Sequence, residues 1–180
     1  IIDSRLCDNE SPLHITLLQG LSRNDRMDTT LQKVTELGIQ RIIPVICDRS
    51  RYRTDENRQK KKHDHWRQVI ISACEQSGRC VLLVLDMPVT LQQALNMVEE
   101  NTCRIILDPG SEQDLNGISH TQHIALLIGP ESGFTQDEIA DAGNARFSPV
   151  TLGPRVLRTE TAGPATVAAM QALWGDFRGS

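Results

Sequence analysis

Apolar and polar positions follow two rhythms along the chain. Continuous apolar runs at residues 14–18, 41–46, 80–85, 104–107 and 124–128 read as strands. Runs of that kind suit strands buried on both faces of a parallel sheet. Pro44, inside the second run, predicts an edge or a bulge because it has no N–H to give a ladder. Between the runs the period changes to that of a helix. Met27, Leu31 and Val34 recur at i, i+4 and i+7, predicting a helix over 24–37 that stops at Gly38. Trp66, Val69, Ile70 and Ala73 mark another, ending near 77–78. Thr90 caps a third, carrying Leu91, Ala94, Leu95 and Val98. Thr135 caps a short one with Asp137 and Glu138 in its first turn, where the helix dipole favours acids. A last strand at 147–152 leads into an Ala-rich helix over 160–174. Strands separated by helices predict an α/β fold, a mostly parallel sheet flanked by helices. No internal repeat and no interdomain linker interrupt it.

Composition narrows the class. The 180 residues suit one domain. With 39% hydrophobic and 23% charged residues the chain is globular, and no apolar run approaches the roughly 20 residues of a membrane span. Aromatics are only 3%, which weakens any stacked-aromatic platform for single-stranded nucleic acid. The five cysteines (Cys7, Cys47, Cys74, Cys80, Cys103) form no CxxC pair. They read as buried thiols in a reducing compartment, the cytoplasm, not as a disulfide frame or zinc site. Two histidine pairs, His63/His65 and His120/His123, have no further ligand cluster beside them, so no metal is expected.

Charge adds a partner class. The net charge is −4, yet residues 41–67 carry +5 and the remainder −9. Such asymmetry suits either a polyanion-facing patch on an acidic body or a solvated loop and helix start.

Two loops hold the candidate chemistry, and both follow strands, where ligands of α/β sheets bind. The first is Ile128-Gly129-Pro130-Glu131-Ser132-Gly133; the second runs from Leu152-Gly153-Pro154-Arg155 through Arg158 and Glu160 to Ala162. Each loop alone reads equally as a structural turn. No GxGxxG fingerprint, Walker A lysine or GxSxG elbow is present. Together they favour a small apolar or aromatic ligand, such as a nucleoside, held by backbone groups.

At these loops the sequence becomes recognisable. The segments LLIGPESGFTQDEIA and TLGPRVLRTETAGPATVAAMQALWGDF resemble the RsmE family of 16S ribosomal RNA methyltransferases, and LQKVTELGIQRIIPVICDRS and SACEQSGR resemble its upstream signatures in the same order. The resemblance implies the SPOUT methyltransferase fold with a C-terminal deep trefoil knot. It also implies S-adenosylmethionine as cofactor and the small ribosomal subunit's 16S RNA as partner, methylated at N3 of one uridine, by a homodimer. Carried over residue by residue, the cofactor site falls on Leu107, Asp108, Ile128, Gly129, Pro130, Glu131, Gly133, Leu152, Gly153, Val156, Leu157, Thr159, Thr161 and Ala162. Arg158 and Arg155 suit stabilisation of a developing uridine anion; Glu160 serves as base or orients an arginine. RNA contacts fall on Arg23, Lys33, Arg49, Arg51 and Arg53, and no role follows for Gln76.

Two departures from the family pattern stand out. Its Gly-Gly is Ser132-Gly133 here, a change that matters only if position 132 needs positive φ. The family's N-terminal PUA-type RNA-binding domain has no counterpart, so 1–180 reads as the methyltransferase domain and 1–12 as a remnant of the linker to it. Competing expectations are another SPOUT target, a ribose 2′-oxygen or a tRNA base, and a non-catalytic ribosome-assembly factor.

Overall fold

The computed structural model describes residues 9–50, 56–119 and 121–177. Seven strands and five helices follow one another: β1 (His14–Gly20), α1 (Asn24–Glu36), β2 (Arg41–Ile46), α2 (Glu56–Ser77), β3 (Val84–Leu85), β4 (Val89–Thr90), α3 (Leu91–Asn96), β5 (Cys103–Leu107), β6 (His123–Ile128), α4 (Gln136–Asn144), β7 (Ser148–Val150) and α5 (Thr159–Trp174). Every strand pair is parallel, in the order β3-β2-β1-β6-β5-β7, with β4 also pairing β2.

The central strands bury both faces, which is why they are unbroken apolar runs. Ile15, Leu17, Ile42, Ile105, Ile124 and Leu126 pack beneath α1, α2 and α5 through Met27, Leu31, Trp66, Ile70, Val167 and Met170. Their neighbours Leu18, Ile43, Ile106, Ala125 and Leu127 face the other way, against Leu91, Ala94 and Leu95 of α3 and Ala142 of α4. Thr90 and Thr135 close capping boxes with Gln93 and Glu138, as their spacing predicts.

Four expectations are corrected. Residues 80–85 are not a buried strand: only Val84–Leu85 pair, at the sheet edge, and Val81 and Val84 are more than half exposed. Pro44 lies in a strand paired on both sides, and its missing N–H falls where the outer neighbour is interrupted between β3 and β4. The last strand is shorter than 147–152, with Thr151 adding one bridge to Asp114. Cys80 is exposed and disulfide-bonded, against the reading of five buried thiols; it lies in the connector between α2 and β3 and not in a buried strand. Cys47, Cys74 and Cys103 are free thiols, and Cys7 and His120 lie outside the described residues. Burial, and for Cys47 the nearby Glu138 carboxylate, pushes these three thiols up and leaves them inert at neutral pH. No helix among the described residues is long and apolar enough to cross a membrane.

Arg79, in the SACEQSGR signature, is a buried charge of the fold. Its side chain is 3% exposed and donates to Glu10 at 2.6 Å and to the carbonyls of Thr35 and Ile39 at 2.9 and 3.0 Å. It ties the chain after α2 to the end of α1, whereas Gln76 of the same signature is exposed. Burial raises the Glu10 carboxyl's pKa, but hydrogen bonds from Arg79 and the Val81 and Cys80 amides outweigh it, so the net value falls below the ordinary 4.5. A carboxyl depressed by folding adds stability that is complete above its unfolded value and fades as pH falls through the folded one. Urea midpoints of the wild type and Glu10→Gln should therefore differ widely above pH 5 and converge on acidification below 4.5. A gap constant with pH would remove Glu10 from this role.

Candidate functional site: a cleft at the carboxyl edge of the sheet

The carboxyl ends of β5, β6 and β7 and the first turn of α5 open onto one cleft of about 560 Å³. It brings together residues from four distant stretches of chain. Leu107 and Asp108 close one side; Ile128, Gly129, Pro130, Glu131 and Gly133 form the floor. Leu152, Arg155, Val156, Leu157, Arg158, Thr159 and Ala162 form the opposite wall. Gly153, Glu160 and Thr161 do not line it. Gly153 instead shapes the second loop at φ +92°, and Thr161 is exposed on α5.

Backbone geometry explains the glycines. Gly133 turns the first loop at φ +68°, its N–H bonding the Pro130 carbonyl at 2.9 Å, a conformation disfavoured for a residue with a Cβ. Ser132 is not among the residues of positive φ, so replacement of the family's first glycine there is without strain. Gly20, at the end of β1, lies against the backbone of Pro130. A Cβ there would stand 2.6 Å from Pro130 Cδ and 2.8 Å from the Gly129 carbonyl carbon, so only glycine lets the strand end touch the loop.

A buried relay joins the two loops. Gln19 Nε2 donates to Thr159 Oγ1 at 2.9 Å, and that hydroxyl donates to the Gly129 carbonyl at 2.8 Å. The walls are set by these bonds before any ligand arrives, which is the preorganisation a binding cleft needs.

Sequence reasoning missed five wall residues: Arg26, Pro109, Phe134, Ile139 and Thr151. Arg26 matters most. It comes from the first turn of α1, and its guanidinium bridges Glu131 Oε2 at 3.0 Å and Glu160 Oε1 at 3.7 Å. The arginine that Glu160 faces is Arg26 and not Arg155 or Arg158. The other Glu160 oxygen, Oε2, is buried with no hydrogen-bond partner. Arg26 and Glu131 thus line the cleft as an ion pair, with Glu160 behind Arg26 and outside the lining. At its mouth the exposed Arg155 and Arg158 form no ion pair among the described residues. Apolar side chains, bare backbone and the Asp108 and Glu131 carboxylates together suit a flat heterocycle attached to a cationic centre.

The basic residues divide. Arg23 stands beside the cleft, its backbone N–H on Glu131 Oε1 at 3.2 Å, and Arg49 Nη1 donates to the Ser132 carbonyl at 3.3 Å. Lys33 lies ten residues along α1 from Arg23, about 15 Å at the helical rise, and pairs with Glu36 at 3.0 Å. Arg51 and Arg53 lie outside the described residues. His63 bonds the Leu85 carbonyl and His65 the Asp28 carboxylate, so the pair shares no target. No group of three metal-ligating side chains occurs among the described residues.

Known proteins share this chain's sequence pattern and fold. The family model of an RNA methyltransferase domain matches residues 9–171. The ribosomal RNA small subunit methyltransferase E of Buchnera aphidicola from Acyrthosiphon pisum is 34% identical over 170 residues, covering 94% of this chain and 67% of that protein. The crystal structure of the enzyme of the same name from Neisseria gonorrhoeae, bound to S-adenosyl methionine, superposes with a TM-score of 0.90 at 44% identity, over 94% of this chain and 70% of that one. The chain belongs to the RsmE family of RNA methyltransferases. A putative methyltransferase from Legionella pneumophila, solved with its bound cofactor SAM, superposes equally well at 40% identity, over 93% of this chain and 69% of its own. Membership of the RsmE family gives the paired loops a common purpose, because residues far apart in sequence form one wall-to-wall cleft.

Proposed function

We propose that the chain binds S-adenosylmethionine in this cleft and transfers its methyl group to N3 of a uridine in 16S ribosomal RNA. The observation that carries the reading is the join of both family loops into one cleft. The residues fit the cofactor: Leu152 and Leu157 cover a purine, and the Gly129 region exposes backbone to its edge. The Asp108 and Glu131 carboxylates in the lining offer negative charge to a ligand that carries ammonium and sulfonium groups. When bound, the cofactor supplies an electrophilic methyl group. The protein's part is to make uridine N3 nucleophilic. N3 must lose its proton to free a lone pair, and the charge that develops spreads onto the flanking uracil oxygens. Arg158, helped by Arg155, stabilises that charge with fixed donors, which eases loss of the proton to solvent. Glu160 acts one step back, holding Arg26 in place.

Three further features belong to the same reading. Ser111 Oγ bonds the Pro149 carbonyl, and the Gln113 carbonyl accepts from Thr151 N, so the chain between β5 and β6 runs along the outer edge of β7. That path is the kind a deep C-terminal trefoil knot requires. A homodimer places the 80% exposed Val156 against a second copy. The setting is the cytoplasm, where the small subunit is modified, and Arg23 and Arg49 meet RNA phosphates.

Calorimetric titration of S-adenosylmethionine is the test. The wild type should bind saturably at one site per chain. Gly129→Trp should not, because even a Cβ at that position stands 3.1 Å from the Phe134 ring, and an indole there fills the cleft. Equal binding by both proteins would place the cofactor elsewhere.

A further inference from the structure

Gln19, near the carboxyl end of β1, is wholly buried and does not line the cleft, yet it governs two residues that do. Its Nε2 lies 3.1 Å from the Gly20 carbonyl and 2.9 Å from Thr159 Oγ1. Donor and acceptor rules then place every proton along the relay. A carbonyl oxygen only accepts, so the Gln19 atom that faces Gly20 is the amide nitrogen and not the amide oxygen. Thr159 Oγ1 faces the same nitrogen and accepts from it. A hydroxyl has a single proton to give, and that of Thr159 is thereby left for the Gly129 carbonyl at 2.8 Å.

The amide carries a cost that space filling does not explain. Its oxygen, Oε1, is buried with no hydrogen-bond partner among the described residues, although buried polar groups are normally satisfied. Gly163 of α5 leaves room for that oxygen, since a Cβ there would stand 3.3 Å from it. A leucine would fill the space without stranding an oxygen. What the amide supplies and a hydrocarbon cannot is its pair of N–H donors. The same strand end also meets the first loop through Gly20, which lies against Pro130. Both contacts fall on the one peptide that links Gly129 to Pro130.

We propose that Gln19 is a positioning residue for methyl transfer. It dictates the direction of the Thr159 hydroxyl, and through that hydroxyl it holds the Gly129–Pro130 peptide in the orientation that receives S-adenosylmethionine. The proposal rests on the reading of the cleft as the cofactor's site and adds to it a residue outside the lining.

Two readouts on the full chain test it. One is the carbonyl-carbon NMR resonance of Gly129, which follows its hydrogen bond with or without a ligand; the other is calorimetric affinity for S-adenosylmethionine. Thr159→Val should move the resonance and weaken the cofactor by roughly fivefold to tenfold. Thr159→Ser, which keeps a hydroxyl, should recover most of both losses. Gln19→Glu preserves the shape, but once its carboxyl ionises it can only accept. The hydroxyl should then turn towards it and release Gly129. As pH is raised through the titration of the introduced carboxyl, the resonance should move and affinity relative to the wild type should fall roughly tenfold. In a Thr159→Val background the same titration should leave the resonance still, because no hydroxyl remains to turn, whereas a merely structural loss would persist. Gln19→Leu covers the case of a carboxyl variant that fails to fold: it removes the donors and should weaken the cofactor roughly threefold. A Gly129 resonance that stays put in Thr159→Val, undiminished affinity in the Gln19 variants, or a Gln19→Glu effect that survives loss of the hydroxyl would each overturn the proposal. If the wild type instead fails to bind S-adenosylmethionine, the cofactor reading falls, and the resonance still decides whether Gln19 directs the hydroxyl.

Discussion

Replacing Arg158 by alanine should slow methyl transfer by about two to three orders of magnitude, the usual cost of removing one donor aimed at developing charge. Cofactor affinity should barely move. Arg158 lies at the start of α5, is exposed, and makes neither a side-chain cap nor an ion pair among the described residues. Its guanidinium therefore contributes nothing measurable to the fold and is free to meet a substrate at the mouth of the cleft. Arg158→Lys should recover part of the loss, because lysine keeps the charge but lacks the fork of donors. Arg155→Ala should be milder, since that residue assists. Single-turnover rates on 16S RNA, with nucleoside mass spectrometry of the product, make the measurement. An unchanged rate would take Arg158 out of the chemistry, and a product other than N3-methyluridine would redirect the reading to another atom.

Replacing Arg79 by leucine should cost about 3–5 kcal/mol of folding stability, the range for breaking a buried ion pair from one side. Domains hold only about 5–15 kcal/mol in total, so this variant stands near the edge of folding. The magnitude follows from what is stranded. Glu10 loses its cation, the carbonyl of buried Ile39 loses its Arg79 donor, and that of buried Thr35 keeps only the Gly38 N–H. Leucine fills the volume without replacing any of those bonds. With a urea slope of about 1–3 kcal/mol per molar, the unfolding midpoint should fall by more than about 1 M. A loss under about 1 kcal/mol would show that the network is dispensable. The contrast between the two variants separates the arginine that serves the fold from the one assigned to the substrate.

Central strands were legible because burial on both faces leaves the same mark in sequence as in space. β1, β2, β5 and β6 appear as apolar runs within two residues of their true ends. The run at 80–85 carries the same mark without the burial, since an edge position is set by strand order and not by composition. Arg79 was missed for the opposite reason: a charged residue reads as surface until its partners are known. The two loops were legible through their glycines, prolines and resemblance. Arg26 was not, because only the placement of β1 beside β6 brings the start of α1 to the cleft. Thr159 and Gln19 form the relay across 140 positions, a pairing no local pattern encodes.

That relay has a consequence for how the protein comes into being. The cleft needs Gln19, near the start of the chain, and Thr159, near its end, in contact. Loop closure over such separations carries a large entropic cost and slows folding. During synthesis the sheet's first strands can associate early, but the cleft cannot close until α5 has emerged and docked. Newly made chains therefore pass through a period in which they are largely folded and unable to hold the cofactor. Ligand binding thus reports that α5 has docked against β1.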